Sequence, residues 1–128
     1  MPGPPRVQPL AAPFDPPLAE ELAAMMPPGL PPLRLFRTLA HNPRILRKVR
    51  LGNLLDRGSL DRRDRELVIL RTTARCGAEY EWGVHVAFFA ERVGLTEAQV
   101  AATRDSEVDP DLWSPRERAL LRLRGKTA

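Results

Sequence analysis

Apolar residues recur at helical spacing through residues 60–94, and this pattern predicts two helices joined by a tight turn. The first helix is predicted over Asp61–Cys76, because Asp61 can cap its amino end and Gly77 follows as a stop signal. The apolar stripe of this helix consists of Leu67, Leu70 and Ala74, widened by Val68 and Ile69. A stripe of this width can pack against another helix.

The second helix is predicted over Glu79–Val93, and Gly94 ends it. Its apolar stripe consists of Trp82, Val86, Phe89 and Val93. Since the connection at Gly77 is short, the two helices must run in opposite directions. The pattern therefore predicts an antiparallel helical hairpin within an all-α fold.

Residues 1–32 hold most of the prolines, which favours extended or irregular structure there. A short helix is predicted near Leu18–Met26 within this segment, with either Asp15 or Pro16–Pro17 at its start. We expect the Pro-rich segment to be distinct from a helical domain over residues 33–128.

The helical domain contains further predicted helices on both sides of the hairpin. Two precede it, over Arg34–Ala40 and from Pro43 towards Leu55. Two follow it, and each begins with a capping box, formed by Thr96 with Gln99 and by Ser114 with Glu117. The last helix leaves an apolar face made of Leu120, Leu121 and Leu123. Such a face, if exposed, often marks an oligomer contact.

A chain of 128 residues with 43% hydrophobic content is long enough for one domain with a modest core. Its single cysteine excludes an internal disulfide and fits a reducing compartment. The amino terminus lacks the regions of a signal peptide, and no stretch approaches the roughly 18 apolar residues of a membrane span. These features predict a cytoplasmic protein with no membrane partner.

The net charge of +4 and the pI of about 10.2 come almost wholly from arginine. Acidic residues are interspersed with the basic ones, and no basic stripe is interleaved with aromatic residues as in single-strand binders. A solvated arginine-rich surface is therefore preferred over a nucleic-acid interface, which remains an alternative.

The candidate chemistry lies at the junction of the two predicted helices. Glu81 and His85 are four residues apart, so they share a helix face beside the apolar stripe. Antiparallel packing can bring Glu66 across to His85, because packed helix axes lie about 8–10 Å apart. In one interpretation the three side chains form an acid–base group. In the other, Glu81 and His85 are an ordinary i, i+4 helix pair and Glu66 is only a neighbour. Cys76 is expected to be a small buried hydrophobe rather than a nucleophile.

The motif RELVILRTTARCGAEYEW, the following VH and the later VGLTEAQV resemble the carboxymuconolactone decarboxylase family. The preceding LFRTLAHNPRIL is similar to the family's usual lead-in, and the resemblance covers residues 33–103. It implies an alkylhydroperoxidase-D-like helical bundle. One branch of that superfamily decarboxylates 4-carboxymuconolactone. The other reduces peroxides with a Cys-x-x-Cys pair followed by a His.

By this resemblance, Glu66 and His85 fall on the positions of the proton-relay Glu and His. The two cysteine positions fall on Ala78 and Glu81, so the sequence departs from the peroxidase pattern. Relatives also continue for another few helices, and we expect this chain to be shortened at its carboxyl end. The resemblance further implies a homo-oligomer, a trimer or a multiple of it.

Three further residues are assigned to substrate binding as hypotheses. Arg71 can pair with a substrate carboxylate in a forked geometry, or form a surface ion pair instead. Tyr80 and Trp82 can wall the pocket and donate through O–H and N–H, or belong to the core. No metal and no cofactor is expected.

Four functions compete. The favoured one is an enzyme acting on a small carboxylated, lactone-type compound, in which His85 is the general acid or base and Glu66 and Glu81 orient it. A peroxide-handling, peroxiredoxin-type protein is disfavoured by the missing thiol pair. A non-catalytic oligomeric helical module ranks narrowly behind the enzyme, and the diffuse charge speaks against a nucleic-acid-binding protein.

Overall fold

The computed structural model describes residues 3–53 and 55–123, and every regular element in these ranges is helical. The predicted all-α fold is therefore confirmed for this part of the chain. The chain divides into two compact units, Met1–Asp56 and Arg57–Ala128, which are described separately below. None of the described helices is long and apolar enough to cross a membrane.

The amino-terminal unit contains α1 (Pro16–Ala24), α2 (Arg34–Leu39) and α3 (Pro43–Gly52). Helix α1 begins at Pro16, as predicted, because prolines are tolerated at its first positions, where no backbone donor is needed. Helix α3 ends at Gly52 rather than near Leu55, since Asn53 adopts a left-handed conformation with φ 37°. The three helices enclose a small core of Leu22, Ala40 and Leu46.

The carboxyl-terminal unit is built on the predicted hairpin. Helix α4 (Arg62–Arg75) begins after Asp61, whose side chain accepts a hydrogen bond from the backbone N–H of Asp64 at 2.8 Å. Gly77, with φ 69°, ends the helix in a Schellman turn that includes the 2.8 Å bond from Ala78 N to Thr73 O. Helix α5 then begins at Glu79, as predicted.

The second arm of the hairpin is not one regular helix. Helix α5 (Glu79–His85) passes into a π-helical turn over Val86–Ala90, and a second Schellman turn at Gly94 follows. The predicted α-helix to Val93 is therefore wrong beyond His85. In an α-helix, residues five apart diverge by about 140°, whereas π hydrogen bonding aligns them. The π turn thus allows His85 and Ala90 to be buried together.

Helices α6 (Glu97–Ala102) and α7 (Pro115–Arg122) follow, and both predicted capping boxes are present. Helix α7 packs against α4 and contributes Leu121 to the core. The remaining buried members of this core are Leu67, Leu70, Ala90, Leu95, Ala102 and Trp113. The prediction of an exposed apolar face on the last helix is therefore wrong for Leu121, which is 2% exposed. Leu123, by contrast, is 74% exposed.

Charged side chains also hold α7 to the start of α4. Arg116 donates through Nε and Nη2 to the buried carboxylate of Asp64 at 2.9 and 2.7 Å. Arg63 donates to Glu117 at 2.7 Å and to the carbonyls of Val93 and Gly94 at 3.0 Å. Arg63 and Asp64 at the start of α4 are thus used in packing, whereas Arg62 beside them is exposed.

Candidate active site

The centre of the site is a buried contact between the two arms of the hairpin. Nδ1 of His85 lies 2.6 Å from Oε1 of Glu66, and the two side chains are 6% and 0% exposed. Glu66 lies within α4, and His85 is the last residue of α5. The distance is typical of a charge-assisted hydrogen bond, with Nδ1 donating to the ionised carboxylate. The contact that the hairpin geometry predicted is therefore present.

The second oxygen of Glu66 is also occupied. Nε of Arg65 donates to Oε2 at 2.8 Å, and the Arg65 side chain is 18% exposed. The guanidinium carbon of Arg65 lies 5.2 Å from the ring centroid of Phe89, and this ring lies 5.1 Å from the His85 ring. Both oxygens of the buried carboxylate thus have a donor, as a charge in an apolar bundle requires.

The other ring nitrogen of His85 faces Glu81. Nε2 lies 3.4 Å from Oε1 of Glu81, whose side chain is 42% exposed. The imidazole therefore lies between a buried carboxylate at Nδ1 and a half-exposed carboxylate at Nε2. Such an arrangement fixes the ring at one nitrogen and leaves the other nitrogen on the side nearer to solvent.

The predicted wall residues have different surroundings. Tyr80 is 48% exposed, and its contact with a substrate stays a prediction. Trp82 packs against the core, its indole N–H donates to Thr103 Oγ1 at 3.0 Å, and the guanidinium of Arg104 lies 5.1 Å from its ring centroid. These contacts support the alternative in which Trp82 belongs to the core.

Arg71 was predicted to bind a substrate carboxylate, but in the structure its partners are backbone carbonyls. Arg71 is 2% exposed and donates to the backbone carbonyls of Leu121, Thr103 and Asp105. Burial lowers the pKa of Arg71, the nearby charge of Arg75 lowers it further, and Asp105 opposes the change. These contacts tie α4 to α7 and to the segment after α6, which supports a structural role.

Cys76 is exposed at the carboxyl end of α4, so the expectation of a buried hydrophobe is wrong. The reason is its position on the helix. Cys76 follows Leu70 by six residues, which places it about 120° away from the apolar stripe.

Sequence reasoning missed Arg65 and the role of Phe89. Adjacent residues on a helix point about 100° apart, so the spacing of Arg65 and Glu66 gave no reason to pair them. Phe89 follows His85 by four residues, and this spacing was a usable signal for the ring contact. Among the residues that the structure describes, no group of three or more His, Cys, Asp or Glu side chains is arranged to hold a metal ion.

The hairpin and its buried Glu–His pair define a helical protein of the type that the resemblance implied. The sequence profile of the carboxymuconolactone decarboxylase family matches residues 42–124, which is more than half of the chain. The chain therefore belongs to the carboxymuconolactone decarboxylase family. Neither a curated protein nor a solved structure gives a significant match.

Proposed function

We propose that this protein is an enzyme that performs acid–base catalysis on a small carboxylated compound of the lactone type. The observation that carries the proposal is the His85 ring, held at Nδ1 by the buried Glu66 and directed at Nε2 towards the half-exposed Glu81. Membership of the carboxymuconolactone decarboxylase family supports the choice of substrate class.

The proton chemistry follows from the two ring nitrogens. With Glu66 ionised, Nδ1 carries a proton and donates a hydrogen bond to the carboxylate. In the neutral ring, Nε2 is then an acceptor and acts as a general base; once protonated, it is a general acid. Glu81 lies beside Nε2 and can exchange the proton with solvent, because its side chain is 42% exposed.

Decarboxylation requires this kind of group. When the bond between the substrate carbon and its carboxylate breaks, CO₂ leaves and the electron pair stays on the substrate, where an unsaturated lactone can delocalise it. A proton must then reach carbon, and the protonated Nε2 of His85 supplies it. The neutral ring regains a proton from solvent through Glu81, so that charge and atoms balance over one turnover.

A peroxidase function of the alkylhydroperoxidase-D type receives less support. Its cycle oxidises two thiols to a disulfide, whereas the sequence contains one cysteine. That residue, Cys76, lies at the end of α4 and not at the two positions that correspond to the thiol pair.

The test compares His85→Ala with His41→Ala, since the chain has two histidines. Nε2 of His41 donates to the carbonyl of Gln8 at 2.7 Å within the amino-terminal unit, and His41→Ala removes the other imidazole of the chain as a matched control. With a panel of carboxylated lactones and CO₂ release as the readout, His85→Ala should lower turnover by roughly 10²–10⁴-fold. His41→Ala should retain it.

Two outcomes would contradict the proposal. One is an unmodified protein that releases CO₂ from no member of the panel, which favours the non-catalytic module. The other is a His85→Ala variant that is folded and retains turnover. Circular dichroism of both variants distinguishes a lost proton transfer from a lost fold.

A further inference from the structure

We propose that Arg65 is a positioning residue that sets the protonation of the Glu66–His85 pair. Its Nε donates to Oε2 of Glu66 at 2.8 Å, while His85 occupies Oε1 of the same carboxylate. Arg65 therefore acts on the imidazole through Glu66. The consequence for turnover rests on the proposed function, whereas the effect on protonation does not.

The four groups form a closed loop of contacts. Arg65 binds one oxygen of Glu66, and His85 binds the other. The ring centroids of His85 and Phe89 lie 5.1 Å apart at an interplanar angle of 30°. The guanidinium carbon of Arg65 lies 5.2 Å from the centroid of the Phe89 ring, which closes the loop. A ring face attracts a cation, so Phe89 holds the guanidinium over the π turn. Because each contact restrains the next, the geometry of the imidazole depends on Arg65.

The electrostatic consequence has a definite sign. The negative charge of Glu66 favours the imidazolium form of His85, and the positive charge of Arg65, which binds the same carboxylate, weakens that preference. Within residues 3–53 and 55–123, the charged groups paired with the ring or with its carboxylate partner are Glu66 and Arg65 from α4 and Glu81 from α5. Without Arg65, the two carboxylates still face the ring, and the cation that binds Glu66 is gone. Arg65 therefore makes it easier for His85 to release its proton.

The test follows the two histidines by NMR during a pH titration. In Arg65→Gln, the pH at which the His85 ring resonances change should rise, because the guanidinium that binds Glu66 is gone while both carboxylates still face the ring. The His41 resonances are the internal reference and should not move, because the His41 ring binds the carbonyl of Gln8 and neither Glu66 nor Arg65. Arg62→Gln removes an exposed arginine from the same helix and should leave the His85 midpoint unchanged.

A midpoint in Arg65→Gln that is unchanged or lower would overturn the proposal, as would an equal rise in Arg62→Gln. Arg65→Lys keeps the charge but loses the Nε–H donor, and it should show a smaller rise. If Arg65→Gln does not fold, the Arg65→Lys midpoint decides, and an unchanged value counts against Arg65. Since the readout is a titration, the result stands even if no substrate is found. With a substrate, the alkaline limb of the rate profile, where the protonated His85 is lost, should move in the same direction.

Discussion

Glu66 is a fully buried carboxylate in the middle of an apolar helix pair. Burying an ion costs several kcal/mol unless its partners have good geometry. Here the imidazole of His85 and the guanidinium of Arg65 bind one oxygen each, so the cost is offset locally. The same contacts fix the tautomer and direction of the ring, which links the stability of the site to its chemistry.

Cys76 provides a prediction at the same scale. Cys76→Ser should leave lactone turnover unchanged, because the residue is exposed at the end of α4 and the sequence has no second thiol. Steady-state turnover of the variant measures this. A large loss, particularly of peroxide turnover, would instead support thiol chemistry and would contradict the decarboxylase proposal.

The pairing of Glu66 with His85 was predictable at the residue scale, because a tight turn at Gly77 brings these positions together. The environment of Arg71 was not. An arginine among apolar neighbours is compatible with a substrate site, and only the fold shows that backbone carbonyls from α7 and the end of α6 occupy it. Carbonyl partners that are distant in the sequence cannot be inferred from the local spacing of residues.

Among the elements, the boundaries that depend on caps and glycines were predictable. Asp61, Gly77 and the boxes at Thr96 and Ser114 all act as their local chemistry indicates. The π turn after His85 was not predictable, since its sequence follows the same apolar spacing as a regular helix. The π turn contacts α4, and such a tertiary contact cannot be read from local spacing.

The turn between the arms of the hairpin gives a paired prediction. Gly77 has φ 69°, so Gly77→Ala should lower the free energy of unfolding by roughly 1 kcal/mol through left-handed strain. Gly83 lies within α5, and an added Cβ there would meet nothing within 4 Å. Gly83→Ala should therefore raise stability by about 0.5–1 kcal/mol. Urea unfolding of both variants measures the difference, and equal effects would contradict the role assigned to Gly77.

The contact between α4 and α7 predicts a pH dependence. Burial alone would raise the pKa of Glu117, but the hydrogen bonds from Arg63 and Ser114 outweigh it and hold the pKa below its ordinary value. A carboxylate with a lowered folded-state pKa stabilises the fold above its ordinary pKa of about 4.3, and this contribution is lost as the pH falls through the folded value.

Glu117→Gln should therefore cost about 1 kcal/mol at neutral pH and nothing once the carboxylate is protonated. Urea unfolding of the variant and the unmodified protein at neutral and at acidic pH provides the measurement. Glu107→Gln, at an exposed position in the loop before α7, is the control and should show no such loss. A loss of equal size in Glu107→Gln, or one that persists at low pH, would contradict the assigned ion pair.

At the scale of the whole molecule, family membership leads us to expect a homo-oligomer, a trimer or a multiple of it. The original reason, an exposed apolar face on the last helix, is weakened because Leu121 is buried in its own unit. Large exposed side chains do remain, with Leu51 at 63% and Leu123 at 74% exposure. Light scattering should give a multiple of 14.4 kDa. A stable monomer at micromolar concentration would count against the expectation.

The π turn after His85 has one more consequence, for tolerance to changes in chain length. A π turn is an α-helix that carries one residue more than its register needs. Removing one residue between Val86 and Ala90 would restore ordinary helical register, so the backbone could absorb the deletion. The residues before the deletion would, however, turn by about 100° relative to those after it. The helix would therefore still form after such a deletion, but the contact between His85 and Glu66 would be lost.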